Sequence, residues 1–108
     1  QKGKGFSLAY ALDKKEASEL SFAACLSDEI SGRKMDIYTN QQSVQVYNGY
    51  FMDGTDIGKG GTPYYASAGI AIETQGYPDA PNQPSFSSIL IDKVEKYRHI
   101  TEYCFLSD

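Results

Sequence analysis

The chain has 108 residues, 10 Lys+Arg against 14 Asp+Glu, and a net charge of −4 at pH 7. That length admits one domain and excludes a two-domain enzyme, and an acidic chain lacks the clustered Lys/Arg that a nucleic-acid backbone demands. At 41% hydrophobic and 22% charged it is not a disordered tract, and no apolar run approaches the ~18 residues of a membrane span.

Taken in chain order, the apolar residues recur mostly at period two, the signature of strands. Phe6, Leu8, Tyr10 and Leu12 alternate with Ser7, Ala9 and Ala11. Residues 14–24 hold good helix formers, but Leu20, Phe22, Ala24 and Leu26 alternate, so a strand is expected there and not a helix. Asp28 to Gly32 reads as a turn. Met35, Ile37 and Thr39 form the next run, Val44 and Val46 alternate with Gln45 and Tyr47, and Ile70 and Ile72 alternate with Gly69, Ala71 and Glu73. Further strands are expected near residues 88–92 and 97–106. The pattern predicts an all-β chain, a β-sandwich of about seven strands. Residues 50–68 and 75–87, rich in Gly and Pro, read as long loops, and loops of that length are often functional.

Cys25 and Cys104 show no CxxC spacing and, with one histidine, no four-ligand zinc pattern. They are expected to be buried free thiols, which fits a reducing, cytoplasmic compartment. Residues 54–60 have the flavour of a phosphate loop, but the spacing is one short and Gly60 stands where a hydroxyl should be. There is no GxSxG elbow and no HExxH. His99 reads as an ordinary strand histidine. No metal site and no organic cofactor are implied. Gln1 opens the chain in place of Met, as expected of a processed or excised chain.

The informative stretch is residues 69–84. Glu73 shares a strand face with the small Ala71 and Gly69, which leave room for a flat ligand beside a carboxylate. Gln45 offers a donor and acceptors for hydroxyl recognition, and Tyr47 on its face can stack on a sugar's apolar side. A Glu at a strand end is otherwise a solvated surface residue.

Ile72-Glu73-Thr74-Gln75, then Pro78-Asp79-Ala80, Asn82-Gln83-Pro84 and Phe86, resembles the C-terminal signature of the aldose 1-epimerases (galactose mutarotases). Ser31-Gly32-Arg33, Ile37-Tyr38-Thr39, Val44-Gln45, Tyr47-Asn48-Gly49, residues 51–55 and Gly58-Lys59-Gly60 extend the resemblance in order. It implies a β-supersandwich of the galactose-mutarotase kind, with residues 1–108 as a single β-sandwich segment forming its C-terminal third. It further implies Glu73 as the general base at the anomeric hydroxyl and Gln45 as a ligand of sugar hydroxyls. Ser7 stands where the family carries an aspartate that binds the sugar. The family's general acid, a histidine upstream, has no counterpart here, and His99 does not match it.

The activity so implied is interconversion of the α and β anomers of an aldohexose, galactose or glucose. Lacking the acid, the isolated chain is expected to be nearly inactive. Two rivals remain: a non-catalytic carbohydrate-binding sandwich using Gln45, Tyr47 and Tyr77, and a module that pairs its exposed strands with another chain. Self-association, or pairing with a second chain, is expected of a sandwich slice with uncovered edges.

Overall fold

The computed structural model describes residues 5–107; Gln1 lies outside them. Eight strands form: β1 (Ser7–Ala11), β2 (Ser21–Ser27), β3 (Arg33–Thr39), β4 (Ser43–Tyr47), β5 (Asp53–Ile57), β6 (Pro63–Tyr65), β7 (Ala71–Gln75) and β8 (Thr101–Ser107). They make two antiparallel three-stranded sheets, ordered β1-β4-β7 and β2-β3-β8, and a separate hairpin of β5 and β6. Two 3₁₀ turns, at Lys59–Gly61 and Ala80–Asn82, complete the regular structure.

Consecutive strands often change sheet, and polar side chains make the corners. Between β3 and β4, Asn40 accepts from the Ile100 amide at 2.8 Å and donates to the Arg98 carbonyl at 2.8 Å. Between β1 and β2 the chain runs irregularly where a helix competes in the sequence. There Lys14 Nζ donates to the carbonyls of Glu19 (2.6 Å) and Thr39 (2.7 Å) and to Ser21 Oγ (2.8 Å). Burial, the largest influence, lowers the Lys14 pKa, partly offset by Glu19. The expected turn at 28–32 forms: the Asp28 carboxylate accepts from the amides of Ile30 and Ser31, and Gly32 takes φ +67 before β3 starts.

Directly opposed residues of an antiparallel pair share a face. The inner face of β1-β4-β7 therefore carries Leu8, Val44, Val46, Ile72 and Thr74, and that of β2-β3-β8 carries Met35, Ile37, Thr39 and Thr101. Ile37 and Val44, at 0% and 2% exposed, mark where the sheets meet. The packing is open elsewhere. The Cα radius of gyration is 16.7 Å, against about 13 Å for a compact 100-residue domain, and Leu8, Tyr10 and Phe105 are 52%, 50% and 78% exposed.

Three expectations are corrected. Residues 88–92 form no strand: Ile89 packs on Gly76, where a Cβ would stand 2.8 Å from Ile89 Cγ2, and Leu90 is 83% exposed. The Asp92 carboxylate then accepts from the Val94 and Glu95 amides and turns the chain away. The first long loop contains the β5–β6 hairpin, which Gly54 permits by taking φ +89 under the Tyr65 ring. The last strand begins at Thr101, so His99 precedes it.

Candidate functional site

The pleat gathers the three residues singled out from the sequence. Gln45 of β4 pairs with Ala9 of β1 on one side and with Glu73 of β7 on the other, while Ser7 pairs with Tyr47. Ser7, Gln45, Tyr47 and Glu73 thus share the outer face of one sheet. Gln45 Nε2 donates to Ser7 Oγ at 2.7 Å. Ala9 and Ala71 are the small neighbours that leave the space above Gln45 and Glu73 open. Gln45 is half-buried; Ser7 and Glu73 are exposed.

One aromatic of this face is marked by no strand periodicity in the sequence. Phe51, 80% exposed, stacks on Tyr47 with ring centroids 6.3 Å apart and 19° between planes, and its amide donates to the Tyr47 hydroxyl at 2.8 Å. Tyr50 meets Phe51 edge-on at 5.5 Å. These rings wall the end of the face where Ser7 pairs with Tyr47. The Gly-rich loop after Tyr47 hid them, because no strand periodicity marks a residue that folds back beside its own strand.

Tyr77 does not join this face. It packs on Phe86 at 5.1 Å and lines a cleft of about 750 Å³ at the end of the sandwich, with Gln75, Ile89 and Tyr97 among its other walls. None of Ser7, Gln45 and Glu73 lines that cleft. The convergence of carboxylate, carboxamide and hydroxyl lies instead on the open sheet face. The Pro-rich turn beside the cleft is braced by Asp79, at φ +61, whose carboxylate accepts from the side-chain amides of Asn82 and Gln83. Those bonds hold the Asp79 carboxyl below the usual carboxylate range.

His99 lies away from the Glu73 face. It bonds Thr74, whose side chain points inward where that of Glu73 points outward. The cysteines are unpaired as expected, but they are exposed and not buried. Both stand opposite Asp36 on the outer face of β2-β3-β8. Two ladder spacings of about 4.8 Å separate their strands, beyond the ~7 Å Cα reach of a disulfide. Asp36 Oδ2 pairs with Lys34 Nζ at 3.2 Å, while Oδ1 is buried without a full hydrogen bond. The neighbouring Cys25 thiol, directed at this carboxylate, holds the Asp36 carboxyl low and is itself pushed up. Among the described residues no group of three or more His, Cys, Asp or Glu is placed to hold a metal ion, and no helix is long and apolar enough to cross a membrane.

The family model described as "Aldose 1-epimerase" matches residues 1–104. The chain belongs to the aldose 1-epimerase family. It is 45% identical to the galactose mutarotase of Rattus norvegicus over 91 residues, covering 84% of this chain and 27% of the relative. The galactose mutarotase of Homo sapiens is 43% identical over the same shares. The aldose 1-epimerase of Escherichia coli (strain K12) is 30% identical over 111 aligned positions, covering all of this chain and 31% of the relative. The chain thus spans about a quarter to a third of the length of these family members.

Proposed function

We propose that this chain carries the general base and part of the sugar platform of an aldose 1-epimerase, as a single β-sandwich segment from the family's C-terminal third. The observation that carries the reading is the row Ser7–Gln45–Glu73 on one open sheet face, cleared by Ala9 and Ala71. The substrate is an aldohexose, galactose or glucose, and the reaction exchanges its α and β anomers. Glu73 takes the proton from the C1 hydroxyl as the C1–ring-oxygen bond breaks, giving the open aldehyde. Rotation about C1–C2 presents the carbonyl's other side, and the steps reverse. Gln45 and Ser7 hold sugar hydroxyls, and the Tyr47–Phe51 wall meets the apolar side of the ring.

Opening also needs a proton at the ring oxygen, and each positioned proton-transfer group contributes ~10²–10⁴-fold. His99 bonds the inward-facing Thr74 and lies away from the sugar face, which supports an acid supplied by another segment. The isolated chain is then a half-site with little activity.

The test pairs polarimetry of fresh α-D-galactose with an amide NMR titration by the same sugar. The reading expects saturable shifts at Gln45 and Glu73, lost in Gln45→Ala, with little acceleration of mutarotation. Acceleration that disappears in Glu73→Gln would also support the base and would put the acid within this chain. No response at either residue overturns the proposal.

A further inference from the structure

Among the described residues the carboxylate-bearing strand β7 is an edge strand, paired with β4 alone. An edge strand held by one ladder is prone to fray. On its inner side, next to Glu73, Thr74 interrupts a face otherwise carried by Val44, Val46 and Ile72. Its Oγ1 lies 2.8 Å from His99 Nε2 and 2.6 Å from Thr101 Oγ1, and these two lie 3.2 Å from each other. Three polar atoms close a triangle between the sheets. Thr74 and Thr101 are half-buried and His99 is exposed; a hydroxyl partly withdrawn from water without such partners is costly, and a β-branched side chain has few rotamers through which to escape.

The triangle is backed by longer contacts. His99 Nδ1 is 3.5 Å from the Tyr97 hydroxyl, which donates at 3.4 Å to Oε1 of Gln41. Gln41 is only 9% exposed, and its amide donates to Asn40 Oδ1 at 3.1 Å. Asn40 in turn holds the Arg98 carbonyl and the Ile100 amide on either side of His99. One assignment satisfies every member: Thr101 donates to Thr74, Thr74 to Nε2, Nδ1–H to Tyr97, and Tyr97 to Gln41.

We propose that His99 is a positioning residue that, together with Thr101, grips Thr74 and so holds Glu73 in place opposite Gln45. The importance given to Glu73 rests on the function proposed above; the grip itself does not. His99 touches no sugar and moves no proton of the reaction.

The test uses the isotope-labelled chain and reads the Glu73 amide and carboxyl signals, the Gln45–Glu73 cross-strand contact and amide exchange along β7. Thr74→Val keeps the shape and removes the hydroxyl; His99→Phe keeps a ring and removes both nitrogens. Both variants are expected to displace the Glu73 signals and speed β7 exchange by about tenfold, as loss of one net hydrogen bond implies. Thr74→Ser and His99→Gln are expected to restore them. Tyr97→Phe, which leaves the triangle intact, should give a smaller change in the same direction and serves if the others fail to fold. Unchanged Glu73 signals in Thr74→Val, or exchange that quickens equally in every strand, overturns the proposal. If the variants behave as expected while galactose leaves Glu73 and Gln45 undisturbed, the grip stands and the sugar reading falls.

Discussion

Gln45 stands directly opposite Glu73 in the β4–β7 ladder, and its amide nitrogen is engaged on the far side by Ser7 at 2.7 Å. A hydroxyl can donate as well as accept, so Ser7 fixes the Gln45 amide less firmly than a carboxylate would. Ser7→Asp would give Gln45 Nε2 a charge-assisted acceptor and a sugar hydroxyl a second one. Asp at this position stays one strand removed from Glu73, because β4 lies between. The substitution is expected to tighten galactose binding by about fivefold, the factor that goes with roughly 1 kcal/mol between neutral and charge-assisted bonds. An amide NMR titration measures it, and weaker binding would remove Ser7 from the sugar face.

The row of exposed Cys25, half-buried Asp36 and exposed Cys104 predicts selective thiol chemistry. Asp36 beside Cys25 disfavours its thiolate, and the thiolate is the nucleophile. In Asp36→Asn that influence is gone, the thiol titrates lower, and more thiolate is present at any given pH. Iodoacetamide at pH 8, followed by peptide mass spectrometry, is expected to label Cys25 faster in Asp36→Asn than in the unsubstituted chain. An unchanged rate would mean that the carboxylate does not govern this thiol. Intact mass should show both thiols free in either protein.

Asp79 gives the Pro-rich turn a defined acid response. Its folded carboxyl is depressed by the bonds from Asn82 and Gln83. A depressed folded value means stability that is complete above the unfolded value, ~3.9 for Asp, and that is lost as pH falls through the folded value. The turn around Ala80–Asn82 should therefore loosen below about pH 4, seen as collapse of the Asn82 and Gln83 side-chain amide dispersion. In Asp79→Asn the same signals should be perturbed at neutral pH and show no further acid step. Persistence of the acid step in that variant would assign it to another carboxyl.

Much of this site is legible in the sequence because period two is a face rule. Once Gln45 and Glu73 fall on alternating runs, each is placed on one side of its strand, and the ladder then sets them opposite each other. What alternation does not carry is which strands share a sheet. β3 and β4 follow each other closely yet belong to different sheets, because Asn40 ties their corner to the Arg98 and Ile100 backbone, far along the chain. The contiguous apolar run of Ile89, Leu90 and Ile91 imitates a strand, but it packs one side chain on Gly76 and pairs with nothing in the sheets. Phe51 and His99 escape for a related reason. Each acts by lying beside a residue that the chain reaches only after turning back.

The outermost strand gives the last prediction. Among the described residues β1 pairs with β4 alone, every residue in it is exposed, and Leu8 and Tyr10 leave half their surface in water. Native edge strands are commonly protected by charge, proline or a bulge, and Ser7–Ala11 has none of the first two. The chain is accordingly expected to self-associate through β1, with light scattering giving a mass that rises with concentration. Tyr10→Lys places a charge on the strand without altering the outer face that carries Ser7, Gln45 and Glu73, because position 10 points to the opposite side. It should return the chain to a monomer while galactose shifts at Gln45 and Glu73 persist. A monomeric unsubstituted chain at high concentration would remove edge pairing; loss of the galactose response in Tyr10→Lys would mean that pairing completes the sugar face.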